Sequence, residues 1–186
     1  MKRLVIAALL MAAASTLALA QKPAPNPSAK SAVEVLKAAG NFKTFLSLLG
    51  QAGSGDVNFL KLTQAGPGGG PRTILAPNDA AFAKLPQGTV ETLRKDPARL
   101  RSFLLGHILP GKVLVKDMFE PVQNSKKEFR TTEGFVLGFS CNGRHGGMHN
   151  PTINGKARVG KFQDVLSAEG VIHEIDAVLI TDGTSR

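Results

Sequence analysis

Thr73-Ile74-Leu75-Ala76-Pro77-Asn78-Asp79-Ala80-Ala81-Phe82 is an apolar run stopped by a proline and followed at once by residues suited to open a helix. Thr73 to Ala76 reads as a short buried strand. Pro77 ends it because it has no backbone donor, and Asn78 or Asp79 can cap a helix running through Lys84. A carboxylate at a helix N-terminus accepts free amides and suits the helix dipole, so Asp79 reads as a cap and not as a catalytic acid. Two further stretches follow in order: Leu105-Gly106-His107-Ile108-Leu109-Pro110-Gly111, a helix end running into a turn, and Gly170-Val171-Ile172-His173-Glu174-Ile175-Asp176-Ala177-Val178-Leu179-Ile180, a closing strand.

Toward the N-terminus, Ser31 and Glu34 have capping-box form ahead of a helix that should end near Gly40. Phe42, Phe45, Leu46 and Leu49 recur at helical spacing and predict a second helix ending near Gly50. Asp96-Pro97 reads as the cap and first residue of a helix carrying Leu100, Phe103 and Leu104. Beyond Gly111 the pattern changes to short apolar runs: Val113 to Val115, Phe135 to Phe139, Thr152 to Asn154, Lys156 to Val159 and Val171 to Ile180. Asn154-Gly155 is a two-residue hairpin signal. Helices first and strands afterwards imply an α+β domain.

The three quoted stretches, in this order, resemble the fasciclin domain: its strand running into a Pro-(Thr/Asn)-Asp-x-Ala-Phe helix start, its His-x-x-Pro-Gly turn, and its closing Gly-Val-Ile-His-x-Ile-Asp-x-Val-Leu strand. Ala38 to Leu46 also resembles the family's opening helices. The resemblance implies a single domain over residues 31–183, a twisted β-sandwich or wedge with helices packed over one end. It implies an adhesion or interaction module before an enzyme. Asp79, His107, His173 and Asp176 fall on motif positions and are expected to be structural, with both histidines buried and hydrogen-bonded. The aromatic that the family usually places before the first histidine is replaced here by Gly106, so properties that depend on that ring do not carry over.

Met1-Lys2-Arg3, the apolar stretch Leu4 to Leu19 and the small-x-small ending Ala18-Leu19-Ala20 have the form of a secretory signal peptide over residues 1–20, cleaved after Ala20. Residues 21–30, with Pro23, Pro25 and Pro27 at every second position, read as an extended, solvated tether. The mature product is expected in the periplasm or secreted. The chain has 23 Lys and Arg against 14 Asp and Glu, a net +9; loss of Lys2 and Arg3 leaves 21 against 14, or +7. Excess positive charge attracts polyanions at long range. Export makes nucleic acid an unexpected partner and leaves acidic polysaccharide, envelope phosphates or an acidic surface or matrix protein. Trp and Tyr are absent, which disfavours a neutral-sugar lectin or an interfacial membrane binder.

Arg94, Lys95, Arg99 and Arg101 form the densest basic tract, near Lys112 and Lys116; it reads either as a polyanion-binding face or as a solvated helix surface. Gln64 to Pro71 is glycine-rich, but Pro67 and Pro71 lack donors and no Lys-(Ser/Thr) pair follows, so it reads as a surface loop and not a phosphate cradle. Cys141, His145 and Met148 stand in C-x3-H-x2-M spacing with His149 adjacent. Thiolate, thioether and imidazole suit copper, with His107 as the candidate upstream ligand. The other reading of this segment is a glycine-rich hairpin loop with a lone cysteine. No serine elbow or paired carboxylates mark a hydrolase, and no enzyme activity is expected. The leading expectation is an exported adhesion or interaction module for an acidic envelope polymer or protein, needing no cofactor; the alternative is a periplasmic copper-binding protein.

Overall fold

The computed structural model describes residues 30–53, 70–118, 126–141 and 151–180. The expected signal peptide, the tether before Lys30 and most of the glycine-rich loop lie outside the described residues. Two helices open the domain, α1 (Ala32–Ala39) and α2 (Lys43–Gly53). The Ser31/Glu34 capping box forms, and Gly40 closes α1 at φ 78°, a left-handed conformation that glycine adopts without strain. Strand β1 (Arg72–Pro77) runs into α3 (Asp79–Ala83), then α4 (Thr89–Lys95), α5 (Pro97–Gly106), β2 (Ile108–Pro110) and α6 (Val115–Met118). Six strands complete the chain: β3 (Lys126–Arg130), β4 (Val136–Cys141), β5 (Pro151–Ile153), β6 (Ala157–Arg158), β7 (Val165–Ser167) and β8 (Gly170–Ile175).

The strands form two four-stranded sheets, β2-β1-β8-β7 and β3-β4-β5-β6. Pairing is antiparallel throughout except between β1 and β8, the first and last strands, which run parallel from Arg72↔Gly170 to Pro77↔Ile175. Alternation along β1 and β8 then sorts their side chains. Ile74, Ala76, Ile108 and Ile172 join Leu36, Phe45, Leu48, Phe103 and Leu104 in one core under the helices. Leu75, Leu109 and Ile175 join Leu137, Phe139 and Ile153 in a second core between the sheets. The first sheet is thus the middle of three layers, which is why its strands read as unbroken apolar runs.

Three expectations are corrected by specific contacts. Val113 to Val115 is not a strand: the Val113 amide donates to Thr73 Oγ1 (2.8 Å), Leu114 to Asp117 Oδ2 (3.0 Å) and Val115 to Asp164 Oδ1 (2.9 Å), so side chains take the amides a ladder needs, and α6 begins at Val115. The turn at Asn154-Gly155, both at positive φ, spans three residues, because Ile153 pairs with Ala157. The closing strand stops at Ile175, where the Ile175 carbonyl accepts from the Asn78 amide (3.1 Å) and the Asp176 carbonyl from Lys84 Nζ (2.6 Å).

Gly170 makes the parallel pairing possible. It sits at φ 149°, and a Cβ there would overlap the Arg72 carbonyl oxygen. Gly170→Ala is therefore expected to cost more than about 3 kcal/mol in denaturant unfolding. A cost below about 1 kcal/mol would show that the strands part without penalty.

Candidate interaction surface

The motif positions are built inward. His107 follows α5 as its C-cap and is fully buried. Its Nδ1 donates to the Phe103 carbonyl (2.7 Å) while Nε2 accepts from the Leu179 amide (3.2 Å), which fixes the neutral Nδ1–H tautomer. The Phe103 ring lies 4.5 Å away centroid to centroid, and Phe45 6.3 Å. An aromatic one helical turn earlier thus contacts the imidazole where Gly106 offers none. Burial pushes the His107 pKa down to about 4, against the opposing pull of the Phe103 carbonyl.

His173, buried in β8, uses the opposite tautomer. Its Nε2 donates to the Val113 carbonyl (2.9 Å) and its Nδ1 accepts from the Asp164 amide (3.1 Å). Burial lowers its pKa, with the Val113 carbonyl and the Asp164 carboxylate pulling the other way. All four ring nitrogens are committed to backbone, so neither histidine has one to offer a substrate. His107 likewise has none for a metal.

Asp79 is a cap, but of a different helix from the one it opens. Asn78 caps α3 by accepting from the Ala81 amide (2.8 Å). The Asp79 carboxylate instead crosses to the start of α2, accepting from the amides of Thr44 (2.8 Å) and Lys43 (3.2 Å). Burial works to raise the Asp79 pKa, and those hydrogen bonds outweigh it, leaving the carboxyl below its usual range. Asp176 accepts from the Arg158 amide (2.7 Å) and pairs with Lys84 (3.6 Å). Glu174, two residues before it, ties three segments: it accepts from Asn41 Nδ2 (3.2 Å), Asn78 Nδ2 (2.7 Å) and the Phe162 amide (3.3 Å). A hub of this kind leaves no sequence signal, because its partners lie far apart in the chain.

The basic tract occupies two helices, not one. Arg94 and Lys95 end α4, Arg99 and Arg101 lie on α5, and Asp96 between them caps α5 by accepting from Ala98 and Arg99. The four cations are not equivalent. Arg94 is clasped to α2, donating to Ser47 Oγ (2.9 Å) and Gln51 Oε1 (3.4 Å), while its carbonyl accepts from Gln51 Nε2 (2.6 Å). Arg99 pairs with Asp96 at 3.2 Å and stays 69% exposed. Lys95 and Arg101 are exposed, and among the described residues no hydrogen bond or ion pair engages them.

Cys141 is the last residue of β4 and the register partner of Pro151, the first of β5. His145, Met148 and His149 lie between them, outside the described residues. Among the described residues no group of three or more His, Cys, Asp or Glu could hold a metal ion, and no helix is long and apolar enough to cross a membrane.

Residues 40–181 match the family model of the fasciclin domain. The chain is 36% identical over 115 residues to transforming growth factor-beta-induced protein ig-h3 of Sus scrofa, covering 62% of this chain and 15% of that protein, so it spans a small part of that relative's length. It is 34% identical over 163 residues to protein sll1483 of Synechocystis, covering 84% and 77% respectively. The fold is similar to that of a FAS1 domain pair from the insect cell adhesion molecule fasciclin I, with TM-score 0.55 and 23% identity over 76% of this chain and 46% of that one.

The buried neutral His107 sets a pH dependence. The unfolded chain takes a proton near pH 6.5 and the folded one only near 4, so between these values the unfolded state binds more protons. Stability is full above about pH 6.5 and falls as the pH drops toward 4, by about 3 kcal/mol from this group. Urea unfolding across that window should show the loss, and His107→Gln should flatten that part of the slope; an unchanged slope would remove His107 as its source.

Proposed function

The chain belongs to the fasciclin domain family, and from that premise we propose that it is an exported adhesion or interaction module whose ligand is an acidic surface polymer or protein. The observation that carries the reading is the turn at Asp96, where Lys95, Arg99 and Arg101 present exposed positive charge on a chain of net +9. Adhesion is what the name of the structurally similar insect molecule states. Binding at such a surface needs no catalytic group, in keeping with two histidines whose nitrogens are spent on the backbone. The signal-peptide form of residues 1–20 supports a periplasmic or secreted location.

Exposed cations facing a polyanion act through screened Coulomb attraction, so the interaction should weaken with salt. Charge reversal at Lys95, Arg99 and Arg101 is expected to lower retention on an anionic polysaccharide column and to shallow its salt dependence. Arg94→Ala, by contrast, should act mainly on stability through Ser47 and Gln51. Unchanged retention in the triple variant would exclude this face as the binding site.

The second reading is copper binding by Cys141, His145, Met148 and His149, without His107. It is favoured by the register pairing of Cys141 with Pro151, the described residues that flank positions 142–150. His145, Met148 and His149 follow within eight residues of the thiolate, the donor that most favours Cu(I). Titration with Cu(I) against a competing chelator should give one equivalent that Cys141→Ser loses. Full retention by that variant would end the thiolate-centred site.

A further inference from the structure

The carboxylates of this domain are largely spent on its own backbone. Asp79, Asp96, Glu174 and Asp176 accept from amides, as described above. Asp117, Asp164 and Glu169 likewise accept from the amides of Leu114 (3.0 Å), Val115 (2.9 Å) and Ala32 (2.8 Å). Between described residues, lysine and arginine form ion pairs at Lys84–Asp176 (3.6 Å) and Arg99–Asp96 (3.2 Å). The places of the acids are thus set by the backbone and not by the basic side chains. Positive charge collects wherever the fold needs no amide acceptor.

The outer face of the second sheet is such a place. Leu137, Phe139, Ile153 and Ala157 belong to the second core, so alternation puts the residues between them on the outside. There Lys126, Ser140, Thr152 and Arg158 stand side by side in register across β3, β4, β5 and β6. On the same parity, Glu128 is opposite Gly138 and Arg130 opposite Val136. Arg130 and Arg158 are exposed. Arg130 donates from Nη1 to the Gly134 carbonyl (2.7 Å), which steadies the guanidinium and leaves its charge. Arg158 engages Asp176 through its backbone amide, and among the described residues no ion pair engages its guanidinium. Ser140 Oγ and Thr152 Oγ1 lie 3.0 Å apart. One hydroxyl donates to the other, so the second proton remains for an outside acceptor.

This arrangement selects a ligand class. Arg130 and Arg158 are three strand spacings apart across the sheet and four residues apart along it, about 19 Å between their Cα atoms. A single small anion does not span that distance, whereas a linear polyanion does. The outward positions of the sheet hold no aromatic, leucine or isoleucine, the anchors around which a protein interface is built. Hydroxyls between two cations instead suit a chain that carries both acidic and hydroxyl groups. This face and the turn at Asp96 also lie on opposite sides of the first sheet, since α5 packs on the first core and these strands on the second. We infer that the outer face of the second sheet is a second site for an acidic polysaccharide, so that one domain bridges two chains. The bridge rests on the proposed role of the Asp96 turn; the second face does not.

Dextran sulfate serves as the probe in two assays on the purified protein: retention on the immobilised polymer, and capture of dissolved fluorescent polymer by protein already held there. The parent protein should capture. Arg130→Glu with Arg158→Glu, and separately Lys95→Glu with Arg99→Glu and Arg101→Glu, should each stay on the column through the remaining face yet capture at least about fivefold less. Glu128→Gln removes the carboxylate among the outward residues and should lengthen retention of the turn variant, a gain that misfolding does not produce. Unchanged capture by the sheet variant overturns the second face. Loss of all retention in the turn variant leaves Asp96 as the one site, which keeps the proposed function and ends the bridge. Retention lowered in the sheet variant alone removes the Asp96 site instead, and the bridge with it.

Discussion

The parallel ladder between β1 and β8 is the constraint on which the rest of the molecule depends. It joins the ends of the domain, and everything between them must fit on one side of the joined pair or the other. With helices on one face and the second sheet on the other, both strands lie in the middle layer and can carry little but apolar side chains. Loss of one such side chain, Leu75 for instance, would forfeit about 2–5 kcal/mol, a sizeable part of the net stability of a domain. The pairing is close enough that only a glycine fits opposite Arg72.

Polar residues that survive in this setting are those that serve the backbone. Thr73 both donates to the Gly111 carbonyl and accepts from the Val113 amide, so one hydroxyl fixes the turn after β2 against β1. His107 and His173 each bridge two backbone groups that have no ladder partner. Asp79, Glu174 and Asp176 do the same at the rim, tying helix starts and loop amides to the ends of β1 and β8. The motifs thus hold the scaffold together. Under the proposed function, recognition falls to the exposed cations around Asp96, which lie outside that network.

Much of this was legible residue by residue. The Ser31/Glu34 box, Gly40 and Asp96-Pro97 are local devices, and each forms as read because its partners lie within a few residues. β3, with its run of charged residues, and the short β2 and β7 escaped, since edge strands are defined by their neighbours more than by their own hydrophobicity. Val113 to Val115 failed for the same reason in reverse: an apolar, β-prone run was diverted because distant side chains claimed its amides. At the surface, composition located the cations. It could not tell Arg94, spent on Ser47 and Gln51, from Lys95 one residue later.

The sequence by itself determined the family, the α+β class, the caps at Ser31, Gly40 and Asp96 and the burial of both histidines, because these follow from short-range spacing and the motif order. Only the tertiary structure decided that Asp79 caps α2 in place of its own helix, that Glu174 is a hub, and that the two histidines hold opposite tautomers. Each of those depends on which backbone groups a long chain closure brings within about 3 Å, the reach of a hydrogen bond. A one-dimensional pattern does not encode that distance; packing the first strand against the last one does.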